Sequence, residues 1–289
     1  MLNVSLNRAK TEIREPAMND LPSVVVAPSV VVGIDGSNAA KNAAIWAVDE
    51  AISRDMPLRL VSVIDPADLC GADAERIEFA SARAALYEAQ RSVEATGKSV
   101  KVETEVVVGK PLRELIKQSR SAEMVCVGSI GVKHAYRGVG SVAAGLPELS
   151  QCPVAVIRQP AQRSANSEPG SIVAEADNGG VLRRAFDEAR LRAAPLRVIA
   201  SWRAEAPDDV GDESRLVQAH LTRRVAAWRR RYPDVDVEPV AVRGSICRYL
   251  AENAESIQLF VSGSHSRVCE LGRADNAGCS VLTVHHDHL

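Results

Sequence analysis

The sequence has few aromatic residues and no marked excess of either charge. Phe, Trp and Tyr make up 3% of the 289 residues, so any core must be built mainly from Val, Leu, Ile and Ala. The 35 Lys and Arg residues nearly balance 37 Asp and Glu residues, and a formal charge of −2 does not favour nucleic-acid binding. The mean hydropathy of −0.06 leaves no surplus for a membrane span. We therefore expect a globular chain that binds neither nucleic acid nor a membrane.

The chain also lacks a disulfide framework and an apolar leader. Its six cysteines form no C-x-x-C pair and no regular spacing. The first residues carry scattered charges where a secretory signal would need an unbroken apolar stretch. We therefore expect a protein of the reducing cytoplasm. Residues 1–28 contain three prolines and no apolar periodicity, which predicts a flexible N-terminal tail.

An internal repeat is the strongest pattern in the sequence. In the first copy, Val30–Asp35 is an apolar segment ending in Asp, and it is followed by a helical stretch and the apolar run Leu58–Val63. In the second copy, Ile172–Asp177 and Leu196–Ser201 occur in the same order. Short apolar runs that alternate with amphipathic helices are typical of parallel strands joined by crossover helices. The fold class predicted is α/β, as two tandem Rossmann-like domains with mainly parallel five-stranded sheets.

The same pattern sets the expected domain boundaries. The first domain covers residues 29–160 and the second covers residues 171–289. Between them, residues 161–170 are polar and lack an apolar period, which predicts a linker. Each domain closes with a terminal strand, Pro153–Ile157 or Ser280–His285.

A glycine-rich segment follows the buried strand Met124–Val127, with four glycines between residues 128 and 140. Ligands of open parallel sheets bind beyond the carboxyl ends of the strands, and glycines let backbone N–H groups approach them closely. The helix expected from Ser141 would add the positive end of its dipole. This segment would suit a polyphosphate, although a plain turn explains glycines equally well. It is neither a Walker A loop nor a Rossmann G-x-G-x-x-G sequence.

Several short motifs, in order, resemble those of the universal stress protein family, in particular its tandem-domain members in mycobacteria. The resemblance is strong over residues 29–160 and weaker over residues 170–289. It implies a Rossmann-like fold and an adenine-nucleotide site for ATP, alone or with Mg²⁺. It also implies that the two terminal strands meet antiparallel in an internal pseudo-dimer, a pairing that would cover two exposed edges. The motifs that carry it are Val32–Ser37, Ser62–Asp65, Val108–Pro111, Val127–Ser129, and Gly140–Ser141 with Cys152–Val156.

The resemblance also implies which residues would hold the phosphates. The family's nucleotide-binding members carry the pattern G-x2-G-x9-G-[S/T] around them. Its counterparts here are Gly128, Gly131, Gly140 and Ser141, with a spacer one residue shorter than the pattern. Lys133 within the spacer would neutralise phosphate charge, although a loop cation is commonly just solvated.

Three further positions would hold the nucleoside, again by resemblance. Asp35 would bond to the ribose or the adenine edge, Gly33 would leave room for the adenosine, and Val63 would offer its backbone to adenine. Each has a structural alternative. Asp35 suits a turn or helix cap next to glycine and serine, and Val63 suits the core of a strand.

The second copy departs from this set. Glu175 stands where the first copy has Gly33, and Ser266 stands where it has Gly131. An acid beside a triphosphate would repel it. We therefore predict one nucleotide site, in the first domain, with the second domain as a degenerate structural partner.

The function favoured by the sequence is an ATP-binding regulatory or stress-response protein, not an enzyme, with slow ATP hydrolysis at most. The sequence contains no Gly-x-Ser-x-Gly elbow, no His-Glu-x-x-His pair and no metal-ligand spacing. One alternative is a nucleotide-free scaffold that binds a protein partner, and another is a nucleotide-dependent enzyme. A homodimer is compatible with each of them.

Overall fold

The computed structural model describes residues 28–129, 140–158, 170–176, 178–203, 210–264 and 279–285. The expected linker and almost all of the expected N-terminal tail lie outside these residues and stay predictions. The elements of the first copy are β1 (Val30–Gly33), α1 (Asn38–Ser53), β2 (Leu58–Ile64), α2 (Ala72–Glu94), β3 (Val102–Val108), α3 (Pro111–Gln118), β4 (Met124–Gly128), α4 (Ser141–Leu149) and β5 (Val154–Ile157). Those of the second copy are β6 (Ser171–Glu175), α5 (Gly179–Leu191), β7 (Leu196–Trp202), α6 (Val210–Arg231), β8 (Val237–Arg243), α7 (Ile246–Glu252), β9 (Ile257–Gly263) and β10 (Ser280–Val284).

The strands form one sheet in the order β3-β2-β1-β4-β5-β10-β9-β6-β7-β8. Pairing within each copy is parallel throughout the described residues. The two copies join where β5 and β10 pair antiparallel, with Leu282 opposite Ala155. The α/β class, the repeat and the antiparallel contact are thus confirmed. The two expected five-stranded sheets are halves of one ten-stranded sheet, because β5 and β10 use each other's open edges.

Helix α1 lies directly on the sheet because its inner face is made of small residues. Ser37 is its N-cap, and the Ser37 hydroxyl accepts a hydrogen bond from the Ala40 N–H at 3.0 Å. Just before it, Gly36 adopts a φ of +83°, a backbone angle that favours glycine. The buried side of the helix carries Ala40, Ala43, Ala44, Ala47, Val48 and Ala51. This narrow face brings the start of α1 close to the carboxyl end of the sheet.

The second copy is packed with larger side chains. Phe186 on α5 stacks on Trp228 of α6, with 5.7 Å between ring centroids, and lies 5.1 Å from the Tyr232 ring. Phe186 is completely buried. Several of the chain's few aromatic residues are therefore concentrated between two helices of the second copy.

The outer edge of β8 is occupied by side chains of α6. The Gln218 amide donates to the Pro239 carbonyl oxygen at 2.7 Å and accepts from the Ala241 N–H at 3.0 Å. Arg229 donates to the Val237 carbonyl oxygen. Three backbone groups of an edge strand thus find partners within the same chain, which leaves fewer for another strand.

His285, which follows β10, connects the second copy to α4 of the first. Its Nε2 atom lies 3.0 Å from the Pro147 carbonyl oxygen and 3.3 Å from the Ser150 hydroxyl. Because a carbonyl oxygen only accepts, Nε2 must carry the proton. Pro147 lies inside α4, near its end, so the helix continues through the proline and ends at Leu149. His285 therefore binds one of the last carbonyls of α4, which have no partner within the helix.

We predict that His285→Ala lowers the free energy of unfolding by about 1 kcal/mol, the usual net value of one hydrogen bond. Chemical denaturation of the full chain measures it. The control is His220→Ala on the exposed surface of α6, which should change the stability by less. Equal effects of the two substitutions would contradict the role of His285 at the junction.

Candidate functional site

The candidate site lies at the carboxyl ends of β1, β2 and β4. β1 is the central strand of the first copy: the chain goes from β1 to β2 on one side and from β4 to β5 on the other. This reversal of strand order opens a crevice between the ends of β1 and β4, the usual ligand position in open α/β sheets. The register pairs Val32 with Cys126, so Gly33 and Asp35 leave the sheet beside Gly128.

Gly128 is where β4 ends against the first turn of α1. A Cβ atom at this position would lie 2.6 Å from the backbone C of Ala39 and from the backbone N of Ala40. Those atoms belong to a helix backbone and cannot rotate away. Only glycine therefore allows the strand to pass under the helix start at this point.

The glycine-rich segment is tied at both ends. The Ser129 N–H donates to the Ile157 carbonyl oxygen at 2.9 Å, which extends the β4–β5 ladder by one residue. The Gly140 N–H in turn donates to the Ser129 carbonyl oxygen at 2.9 Å. The residues between, with the predicted phosphate ligands Gly131 and Lys133, lie outside the described part of the chain. Those two assignments stay predictions, but the segment leaves and returns at one point above the crevice.

The start of α4 offers hydrogen-bond donors at that point. Gly140 is buried, is the N-cap of the helix, and has no side chain with which to cap it. The Gly140 carbonyl oxygen accepts the Ala144 N–H at 3.0 Å. The first N–H groups of a helix have no acceptor within it, and the helix dipole favours an anion there. Gly140 and Ser141 thus place N–H donors at the start of α4, and phosphate binding there stays a prediction.

Asp35 makes a turn contact that its sequence neighbours allow. Its Oδ1 atom accepts the Ser37 N–H at 3.0 Å, and the residue is exposed beside the start of α1. The structural alternative for Asp35 is therefore realised. A ligand contact remains compatible with it, because a carboxylate has several acceptor positions.

Gly33 has a different surrounding from the one expected. A Cβ atom at Gly33 would lie 3.1 Å from Leu115 Cδ1 and 3.2 Å from Val127 Cγ1. Those side chains belong to the layer of core between the sheet and α3. Packing of the protein's own side chains thus accounts for this glycine, and its role in admitting adenosine stays a prediction.

The backbone N–H and C=O groups of Val63 point to the side of β1, at a level beyond the last residue of that strand. The Val61 carbonyl oxygen points towards β1, because it accepts the Ile34 N–H at 2.8 Å. Backbone groups alternate in direction along a strand, so those of Val63 point the same way. The last pairing of β1 with β2 joins Gly33 to Val61. The backbone of Val63 therefore faces the crevice, as adenine recognition by main-chain atoms requires.

An ion pair that was not predicted from the sequence lies at the rim of the site. Lys110 Nζ, after β3, lies 2.9 Å from each carboxylate oxygen of Asp65, after β2. Asp65 also accepts the Ala67 N–H at 2.9 Å. Both residues lie within motifs already singled out, and adjacent strands bring the ends of those motifs together. The Lys110 ammonium group is largely exposed, and strands β2 and β1 lie between it and the glycine segment.

In the second copy, β9 ends in the same way as β4 does in the first, but the residues around its end differ. The Ser264 N–H donates to the Val284 carbonyl oxygen at 3.0 Å, in the same way as Ser129 donates in the first copy. The Asn178 side chain caps α5 by accepting the Val181 N–H at 2.9 Å. Glu175 ends β6, as the repeat predicts. Asp177 and Ser266 lie outside the described residues.

The described residues contain no group of three or more His, Cys, Asp or Glu side chains arranged to hold a metal ion. No helix among them combines the length and the apolar character needed to cross a membrane.

Comparison with known proteins agrees with the doubly wound α/β repeat. The model of the Universal stress protein family matches residues 28–158. Universal stress protein Rv3134c of Mycobacterium tuberculosis is 55% identical over 264 residues, which cover 91% of this chain and 98% of that protein. Universal stress protein Rv2028c of the same organism is 43% identical over 280 residues, with coverage of 91% and 98%. The chain belongs to the universal stress protein family.

A solved structure matches the whole fold. The crystal structure of a universal stress protein from Archaeoglobus fulgidus aligns with a TM-score of 0.64 at 17% identity. The alignment covers 90% of this chain and 97% of that chain. At this identity the likeness concerns the fold, and it extends over both copies.

We predict that Gly128→Ala lowers the free energy of unfolding by roughly 1–3 kcal/mol, because the new Cβ must displace the first turn of α1. Thermal and chemical denaturation measure the change. The control is Gly179→Ala at the start of α5, where a Cβ would meet no atom within 4 Å. A Gly128→Ala protein as stable as the control would show that α1 yields easily at this contact.

Proposed function

We propose that the first copy binds ATP in the crevice between β1 and β4. The observation that carries the proposal is the uncapped start of α4 at Gly140, tied by one hydrogen bond to Ser129 at the end of β4. This arrangement combines a helix N-terminus, a glycine-rich return loop and the switch point of the sheet. Each of these features favours a phosphate group at the same place.

The predicted site residues would each bind a different part of the nucleotide. The N–H groups after Gly140, with Ser141, would hold phosphate oxygens, together with Gly128, Gly131 and Lys133 of the glycine segment. The Val63 backbone would bond to the adenine edge. Asp35 would bond to the ribose while it keeps its turn contact with Ser37. The family's motif and the strand geometry support these assignments.

Bound ATP would supply binding free energy that stabilises one state of the protein, and the phosphate chain would be open to slow hydrolysis. The phosphate chain would be held mainly by backbone N–H groups, which do not move protons. We therefore infer a regulatory or stress-response role in the cytoplasm, with an unidentified protein as the responding partner, rather than a role as an enzyme.

We predict that ATP raises the stability of the full chain. At a free ligand concentration 100-fold above Kd, the gain should be about 2.7 kcal/mol, seen as a higher melting temperature and confirmed by calorimetric titration. Both measurements are made with and without Mg²⁺. Neither heat nor stabilisation at millimolar ATP would overturn the proposal and favour the nucleotide-free scaffold.

Two substitutions at Asp35 separate its two roles. Asp35→Asn keeps an oxygen acceptor for the Ser37 N–H but loses the charge, whereas Asp35→Ala loses both. Loss of a hydrogen bond to a charged group should weaken ATP binding by about 10- to 100-fold in Asp35→Ala. Asp35→Asn should retain the unliganded melting temperature better. If neither variant changes the Kd, Asp35 is a turn residue alone.

Substitution of Gly140 tests the phosphate end. Gly140→Val places a branched side chain at the start of α4 and should abolish ATP stabilisation. The matched control is Gly179→Val at the start of α5, which should bind ATP as the unmodified protein does. Unchanged ATP binding by a folded Gly140→Val protein would contradict the phosphate site.

The rate of ATP hydrolysis by the unmodified protein distinguishes a binding protein from an enzyme. Steady phosphate release at roughly 1 s⁻¹ or faster would favour an enzyme.

A further inference from the structure

Two glutamates are completely buried where α1 of the first copy meets α5 of the second. They are Glu50 and Glu188, each 0% exposed. Each is followed one helical turn later by an arginine, Arg54 or Arg192, so both copies carry the same Glu-x3-Arg pattern. A buried carboxylate is costly unless it is paired or protonated. The repeat brings two such groups to one junction.

Arg192 connects the two copies directly. Its Nη2 atom bonds to Glu50 Oε1 across the junction and lies 3.1 Å from Glu188 Oε2 on its own side. Its guanidinium carbon lies 4.1 Å from the centre of the Trp46 ring on α1. One arginine is therefore shared by both carboxyl groups and is held in place by an aromatic ring.

The other arginines compensate the two carboxyl groups incompletely. Arg54 Nη1 lies 2.8 Å from Glu50 Oε2, but it also donates to the Glu50 carbonyl oxygen, and Arg54 Nε lies 3.7 Å from Glu123. Arg184 Nε lies 3.5 Å from Glu188 Oε1. The Nε and Nη2 atoms of Arg184 are buried and find no hydrogen-bond acceptor among the described residues. The guanidinium groups are thus nearby without satisfying both carboxylates.

Arg192 Nη2 contacts one oxygen of each carboxyl group, which brings the two groups next to each other, and a hydrogen bond between them requires a proton on one of them. Burial, and next the charge of Glu50, raise the pKa of Glu188 to about 7, against the opposing effects of Arg192 and Arg184. Burial raises the pKa of the Cys126 thiol on β4 and brings that of the Cys152 thiol, which precedes β5, to about 12, so both remain neutral.

We propose that Glu50 and Glu188 share one proton and that this proton locks α1 to α5, which makes the contact between the two copies sensitive to pH. With the proton in place, one carboxyl donates to the other and Arg192 bonds to both. Without it, two carboxylates face each other in a site with little water, and the junction loosens. This proposal does not depend on nucleotide binding.

The direction of the pH effect follows from linkage. The pKa of Glu188 lies at about 7 in the folded protein, above its ordinary value of 4.5. The stabilisation is therefore complete below about pH 4.5 and is lost as the pH rises towards 7. Within this window, one shared proton changes the unfolding equilibrium constant by up to about ten-fold per pH unit.

The experiment measures the unfolding free energy of the full chain, without nucleotide, from pH 5 to pH 8. Other carboxyl groups titrate too, so the comparison is with Glu188→Gln, in which an amide replaces the protonated carboxyl and cannot ionise. We expect the unfolding free energy of the unmodified protein to fall relative to that of this variant as the pH rises to 7. Above pH 7 the difference between the two should stay constant. Glu88→Gln, on the exposed surface of α2, is the control and should run parallel throughout.

Infrared spectroscopy locates the proton without relying on a variant that folds. A protonated carboxyl has a carbonyl stretch separate from that of a carboxylate, and we expect this band in the unmodified protein at pH 6 and its loss by pH 8. The band should be absent at pH 6 in either Glu188→Gln or Glu50→Gln. A constant stability difference between unmodified protein and Glu188→Gln, or no such band at pH 6, would overturn the proposal and identify an ordinary ion-pair network.

Discussion

The antiparallel pairing of β5 with β10 is the contact on which the rest of the structure depends. A five-stranded parallel sheet whose last strand is open has an unpaired edge, and each copy provides the edge that the other needs. Once these strands pair, α1 and α5 become neighbours across the junction, and His285 reaches the end of α4. The buried glutamates and the candidate nucleotide site are therefore parts of one continuous unit, and the second copy supports the first even where its own loop has diverged.

The sequence predicts the fold well because the fold rests on local signals repeated twice. Apolar runs such as Val30–Val32 and Leu58–Val61 suit strands buried on both faces, and Ser37 marks a helix start beside Gly36. The antiparallel contact was expected from the resemblance to the family, and the open strand edges give a physical reason for it. That the two sheets merge into one follows from the register, in which Leu282 lies opposite Ala155. Sequence periodicity carries no information about such a register.

The candidate site was predicted less completely, for reasons that differ between residues. Gly128 and Gly140 stand out by composition, but the 2.6 Å approach of α1 that requires Gly128 depends on how a helix packs over a strand end. The ligand role of Gly33 stays a prediction, and packing against Leu115 and Val127 is a second reason for this glycine that depends on the folded structure. Asp65 and Lys110 are 45 residues apart and meet only because β2 and β3 are adjacent. Nothing in the sequence distinguishes Glu50 and Glu188 from ordinary charges on a helix surface, because their burial depends on the contact between α1 and α5.

The pairing of β5 with β10 also limits how this chain can assemble. A single-copy protein with an open last strand can pair that strand with a second molecule, but here both last strands are already satisfied within one chain. The sheet ends instead at β3 and β8, and side chains of α6 already bind the outer backbone groups of β8. Among the described residues, helical surfaces and the outer edge of β3 are the surfaces that a larger assembly could use. Because the contact lies within one chain, the two copies are always present in a one-to-one ratio that does not depend on protein concentration.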